Sequence, residues 1–274
     1  NTVQDILNDR SNLQVDVNNG DPTDSDGVPL LQASATIIDY KTGQVKVLIG
    51  GRGNQPSASL NRAYFDLKSI GSTTKPLTVY GPAIDTKLIT AGTPLDDTSV
   101  SEEILEKYNF GSVVPKNADG SMFGYITARE ALTYSKNLTS IKTVDMLGLD
   151  TALNYGKKAG LKYAPQSHTM SALALGQFDQ PIGNRDGGNT TILASAYGAF
   201  GNNGVIYEPA LYTKVEDASG NLLLEKEPIS TKLFSPQTSY IIYDILKGSS
   251  TSAQFNDIPV AGKTGTTNSS DNFW

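Results

Sequence analysis

Strand patterns toward the two ends of the chain and helical patterns through its middle predict an α+β protein. Three observations carry that reading: a glycine-centred hairpin pattern at residues 35–51, apolar residues near helical spacing between about 101 and 200, and short strand patterns after 210.

The elements follow in order. Val3, Ile6, Leu7 and Leu13 form a short helix-like stripe, and the polar run Asn18 to Gly27 reads as a loop. Its Asp24-Ser25-Asp26-Gly27 has the look of part of a calcium loop, but the first ligand position falls on Pro22 and the twelfth on Ala33, which favours a solvated loop. Ala35 to Tyr40, the turn Lys41-Thr42-Gly43 and Gln44 to Gly51 make a β-hairpin. A looser stretch with Asn61-Arg62-Ala63 leads to Ile70-Gly71-Ser72, where Gly71 and Pro76 suit a chain entering a helix. Helices are expected around Ala128 to Leu132, Ile141 to Leu147 and Thr190 to Phe200, with Gly148, Gly160 and Gly201 as stops. The tail predicts strands at 210–217 and 222–224, a helix from about Gln237 to Lys247, and one more strand from Ile258 to Thr267.

Composition narrows the chemistry. With 38% apolar residues over 274 the chain can bury a sizeable core. A net charge of -6 gives no electrostatic footprint for nucleic acid or anionic lipid. The absence of cysteine excludes thiolate catalysis, and one histidine, His168, leaves no standard zinc set; His168 itself sits in a polar stretch and is expected to be exposed. No cofactor is implied. No apolar run approaches the roughly 20 residues of a membrane span, and the N-terminus lacks the regions of a signal peptide. The chain stops at Asp271-Asn272-Phe273-Trp274 directly after the last expected strand, so a fragment of a longer protein is expected.

Three short words then fall in order: Ser72-Thr73-Thr74-Lys75, Ser135-Lys136-Asn137 and Lys263-Thr264-Gly265-Thr266. A hydroxyl is a weak nucleophile at neutral pH and needs a neighbouring base, and a lysine three residues on a helix shares its face. Each word alone is weak. Ser-x-Asn also occurs at Ser59, Ser219 and Ser270, and Lys-Thr-Gly recurs at Lys41, where the hairpin turn explains it, whereas Ser-x-x-Lys occurs once. A lone Ser72 would read as a helix N-cap and a lone Lys75 as a surface residue.

Taken together, the three words resemble those of penicillin-binding proteins and serine β-lactamases. Further stretches are similar to class A penicillin-binding proteins: Ile49-Gly50-Gly51-Arg52, Asn61-Arg62-Ala63, Ala172 to Gly176, Ala196-Tyr197 and Asn203-Gly204. The resemblance covers residues 33–274 and makes 1–32 a connecting segment. It implies an antiparallel sheet flanked by helices with an all-helical subdomain, and a companion C-terminal segment that completes the sheet between the hairpin and the Lys-Thr-Gly strand.

The activity implied is a D,D-transpeptidase that cross-links peptidoglycan stem peptides outside the cell, in a protein anchored in the membrane by other parts, and that β-lactams acylate. Ser72 would be the nucleophile and Lys75 the base, kept neutral by burial and by the nearby cation Lys263. Ser135 would relay the proton and Asn137 would hold the substrate amide. Thr264 and Thr266, two apart and so on one face, would bind the terminal carboxylate of D-Ala-D-Ala, with Gly265 allowing close backbone approach. The amides of Ser72 and Thr266 would form the oxyanion hole. The chain departs from the pattern at Lys136, where arginine or serine is more usual, and the middle residue need not face the site. A D,D-carboxypeptidase or β-lactamase on the same fold, or a non-catalytic module that binds cell-wall peptides, would share these words.

Overall fold

A computed structural model describes residues 2–13, 20–111, 113–178, 186–249, 258–267 and 273–274. Among them strands pair two by two, all antiparallel, around a helical core. The α+β class holds, while one continuous sheet is not formed among the described residues.

Helix α1 (Thr2–Asn8) precedes the expected hairpin, β1 (Ala35–Ile38) against β2 (Val45–Ile49) in the register Ala35↔Ile49. Asp24 accepts N–H bonds from Asp26 and Val28 at 2.9 and 3.0 Å, a self-satisfied loop. The segment before the hairpin is not loose. Arg52, 2% exposed, donates to the Leu7 carbonyl at 3.0 Å and pairs with both Asp21 oxygens, so it ties residues 7 and 21 to the end of β2.

From Gly71 the backbone stays helical through three different windings: a 3₁₀ turn (Gly71–Thr74), a π turn (Pro76–Tyr80) and α2 (Gly81–Asp85). Leu77, Val79, Tyr80 and Ala83 on this rod are fully buried and form its share of the core.

The middle is less uniformly helical than its sequence suggests. β3 (Pro94–Asp97) pairs with β4 (Gly124–Thr127) on either side of α3 (Glu102–Lys107). Both strands are four residues long, and β3 contains proline and two aspartates, so neither shows a strand pattern of its own. Their pairing is set by distant sequence. α4 (Ala128–Thr133) starts with a Thr127–Glu130 capping box, and α5 (Asn137–Leu147) stops at Gly148 as expected. α6 (Leu149–Lys158), α7 (Met170–Leu175) and α8 (Thr190–Gly201) complete the helical part. α8 lies under the hairpin, where Thr36 and Thr190 hydroxyls meet at 2.8 Å.

β5 (Val205–Tyr207) pairs with β8 (Ser230–Lys232), and between them β6 (Lys214–Glu216) and β7 (Leu222–Glu225) form an exposed hairpin whose first strand is shorter than the 210–217 expected. α9 (Pro236–Ser249) returns to the core through Ile242, Ile245 and Leu246. Phe234, just before it, stacks between Tyr155 and Phe200 at ring separations of 5.5 and 5.7 Å.

The strand expected at Ile258 to Thr267 is a correction. A strand needs a partner edge, and between described residues this segment forms a single bridge, Thr266 to Phe273, with reciprocal Gly265–Trp274 backbone bonds of 3.1 and 2.9 Å, while Gly262 donates to the Leu246 carbonyl of α9 at 3.2 Å. It is an extended strap, docked on the start of the Ser72 turn.

Candidate active site

Glycines bring the strap to Ser72. A side chain on Gly265 would strike the Ile70 carbonyl and the Thr73 side chain, and one on Gly71 would strike the Thr266 backbone. Gly71 also has φ of +54°, which L side chains rarely adopt. Behind this contact Ile70 and Gly71 both donate to the Gly176 carbonyl at 3.1 Å, and Tyr197 of α8 donates to the Thr73 carbonyl at 2.8 Å. The Ala172 to Gly176 and Ala196-Tyr197 stretches are thus the supports of the serine turn.

Ser72 is half-buried and caps nothing: residue 70 precedes the 3₁₀ turn with no side-chain cap bond. Its hydroxyl has no hydrogen-bond partner among the described residues. Lys75, one turn on, is fully buried. Its Nζ donates to the Ser135 carbonyl at 2.6 Å, to Asn137 Oδ1 at 2.7 Å and to Ser135 Oγ at 3.3 Å. No carboxylate lies within ion-pair distance of it among the described residues. Burial first, and the charge of Lys263 second, hold the Lys75 ammonium well below the ordinary lysine range.

Ser135 takes φ of +57°, a left-handed bend that turns its carbonyl and hydroxyl toward Lys75, while Asn137 opens α5. Lys263 donates to the Thr264 carbonyl at 2.9 Å and is lowered to about 8 by burial. Along the strap Thr264 and Thr266 are exposed while Gly265 and Thr267 are buried, so the two hydroxyl residues share the open face. The N–H groups of Ser72 and Thr266 meet no acceptor among the described residues.

The sequence profile of the penicillin binding protein transpeptidase domain matches residues 33–272. The chain belongs to this family. Penicillin-binding protein 1A of Clostridium perfringens is 54% identical over 97% of this chain, and that of Clostridium acetobutylicum 44% over 99%. The chain spans 40% and 34% of these two relatives. The fold is also that of solved structures: penicillin-binding protein 1A from Haemophilus influenzae, with a TM-score of 0.71, 20% identity and coverage of 90% of this chain and 42% of that one, and the imipenem acyl-enzyme complex of penicillin-binding protein A from M. tuberculosis, with 0.72, 17%, 87% and 62%.

Within the transpeptidase domain the competing motif copies have other work. Ser59 bonds back to the Pro56 carbonyl, Ser219 and Asn221 shape the β6–β7 turn around Asp217, and Lys41-Thr42-Gly43 is the hairpin tip. The copy at Ser270 to Asn272 lies outside the described residues. His168 is exposed, as its polar surroundings suggest.

One residue that sequence reasoning missed is Asn117. Its Oδ1 accepts the N–H groups of Asn137 at 2.7 Å and Leu138 at 3.2 Å, capping α5 from another segment because Lys136 offers no cap of its own. A cap 20 residues upstream leaves no local pattern. Asn137 Nδ2 is tied to the same loop through the Lys116 carbonyl at 2.8 Å.

Proposed function

We propose that the chain is the D,D-transpeptidase domain of a peptidoglycan-synthesising penicillin-binding protein, working through an acyl-enzyme on Ser72. The observation that carries it is Lys75: a buried amine next to a serine turn, held by neutral oxygens and unmatched by any described carboxylate, favours the free-base form that a serine nucleophile requires.

In this reading Lys75 Nζ takes the Ser72 hydroxyl proton as Oγ adds to the carbonyl of the D-Ala-D-Ala bond. The amides of Ser72 and Thr266 receive the oxyanion. The C–N bond breaks as a proton passes from Lys75 through Ser135 to the departing amine, leaving a Ser72 ester. Thr264, Thr266 and the cation of Lys263 hold the substrate's terminal carboxylate, and Asn137 the substrate amide. A second stem peptide's amine then attacks the ester, and the serine regains its proton. A β-lactam follows the first half only, because its amine stays tethered after the ring opens.

Residues 33–274 form this domain and 1–32 its connection, attached through Arg52 rather than free. The companion segment would lie in a groove of about 420 Å³ between Tyr40, Phe200, Tyr243 and Pro259, where the Ser239 hydroxyl is buried without a partner. The substrate places the domain outside the cell membrane, with the anchor elsewhere in the protein; none of its described helices is long and apolar enough to cross one.

Intact-mass spectrometry of the full-length protein with benzylpenicillin tests the reading. A long-lived adduct on Ser72, absent from Ser72→Ala, supports a transpeptidase; a rapidly cleared adduct turns it into a β-lactamase or carboxypeptidase; no adduct on folded protein refutes an acyl-enzyme.

A further inference from the structure

The middle residue of Ser135-Lys136-Asn137 points away from the site into the protein, where it is 1% exposed. Its ammonium lies 3.0 Å from Asp119 Oδ2, 3.7 Å from Asp97 Oδ2, 2.7 Å from Ser121 Oγ and 3.6 Å from the centroid of the Phe123 ring. Asp97, wholly buried at the end of β3, also accepts from Asn117 Nδ2 at 2.7 Å and from the Phe123 amide at 3.0 Å. Asn117 in turn caps α5 through the amides of Asn137 and Leu138. The chain of contacts is continuous from Lys136 to Asp97, Asn117 and Asn137, and from Asn137 Oδ1 to Lys75 Nζ.

We infer that Lys136, Asp97 and Asn117 form a positioning unit that fixes the Ser135 to Asn137 arc against Lys75. Its consequence for acylation rests on the acyl-enzyme reading of Ser72. The physical need is plain. Ser135 sits in a left-handed conformation and Asn137 opens a helix whose own preceding residue cannot cap it, so the arc's geometry must come from elsewhere. A buried cation matched by a buried carboxylate supplies a fixed anchor on the far side of the same residue triplet. Lys136 touches no reacting atom; it acts through its neighbours.

Two readouts in the full-length protein test this separately. Hydrogen exchange of the Asn137 and Leu138 amides reports the arc itself. In Asn117→Ala, which removes the cap without stranding a charge, these two amides should exchange roughly tenfold faster or more, while the Leu193 amide inside α8 keeps its rate; in Lys136→Met, which also loses global stability, they should accelerate by more than Leu193 does. Acylation by a fluorescent penicillin reports the consequence: the limiting rate should fall roughly 10- to 100-fold, as for a catalytic group misplaced by about 1 Å, with the concentration for half-saturation little changed. Lys136→Arg should recover most of the rate, since a guanidinium can serve both carboxylates and lie on Phe123. Exchange that is unchanged, or that rises equally at Leu193, overturns the inference, as does a wild-type acylation rate in both variants. If wild-type protein forms no adduct on Ser72 the functional reading fails, and the exchange result alone decides the positioning role.

Discussion

Lys75 and Lys136 are the same residue type and both almost fully removed from solvent, one touching the Ser135 to Asn137 arc and the other part of it, yet their surroundings are opposite. Lys136 lies among Asp97, Asp119 and the face of Phe123; among the described residues Lys75 has only a carbonyl, an amide oxygen, a hydroxyl and the like charge of Lys263. Burial alone does not decide what a lysine does. An ammonium with carboxylates beside it can serve as an anchor, whereas without them the cost of desolvating the charge favours the neutral amine that the proposed mechanism requires of Lys75 as its base.

Exchanging both lysines for arginine gives the largest expected contrast. Arginine stays charged at any relevant pH, so Lys75→Arg should slow acylation about 10²- to 10⁴-fold, the usual contribution of a general base, whereas Lys136→Arg should stay close to wild type. Stopped-flow acylation of the two variants checks it. Next in size is stability. Lys136→Met leaves Asp97 buried without its cation and should cost about 3 to 5 kcal/mol in denaturant unfolding, and adding Asp97→Asn should return much of that loss. Recovery in the double variant marks the pair as an anchor; no recovery would place the cost in lost packing.

A smaller effect sharpens the Lys75 side. The acylation rate should rise with pH as the lowered Lys75 loses its proton, then fall as Lys263, lowered to about 8 by burial, loses the charge proposed to hold the substrate carboxylate. The fall should reach roughly tenfold one unit above the Lys263 midpoint, and Lys263→Arg should move the falling limb to higher pH. A profile unchanged in that variant would remove Lys263 from the reaction. The smallest effect is Asp119→Ala. Asp119 is more than half exposed and Asp97 remains beside Lys136, so a loss within about 1 kcal/mol is expected.

What could be read in advance follows the range of the interactions. The hairpin, α4, α5, α8 and α9 carry their patterns within a few residues: Gly43 for the turn, Gly148 for a stop, apolar residues at helical spacing. The three words were legible because the chemistry constrains spacing inside each. β3 and β4 were not, because Pro94, Asp96 and Asp97 form a strand only against residues 124–127. Asn117 and the role of Lys136 were hidden for the same reason: the cap and the carboxylates arrive from segments 15 or more residues away. The strap at 258–267 shows the reverse error, since its strand-like composition finds only a single bridge, Thr266 to Phe273, between described residues.

The most direct measurement is an NMR titration of the Lys75 side chain in full-length protein carrying ¹³C-labelled lysine, assigned with Lys75→Arg. A midpoint well below 10.5 that rises when Lys263 becomes alanine is the predicted result. A midpoint in the ordinary lysine range, indifferent to Lys263, would contradict the account of Lys75 as the base.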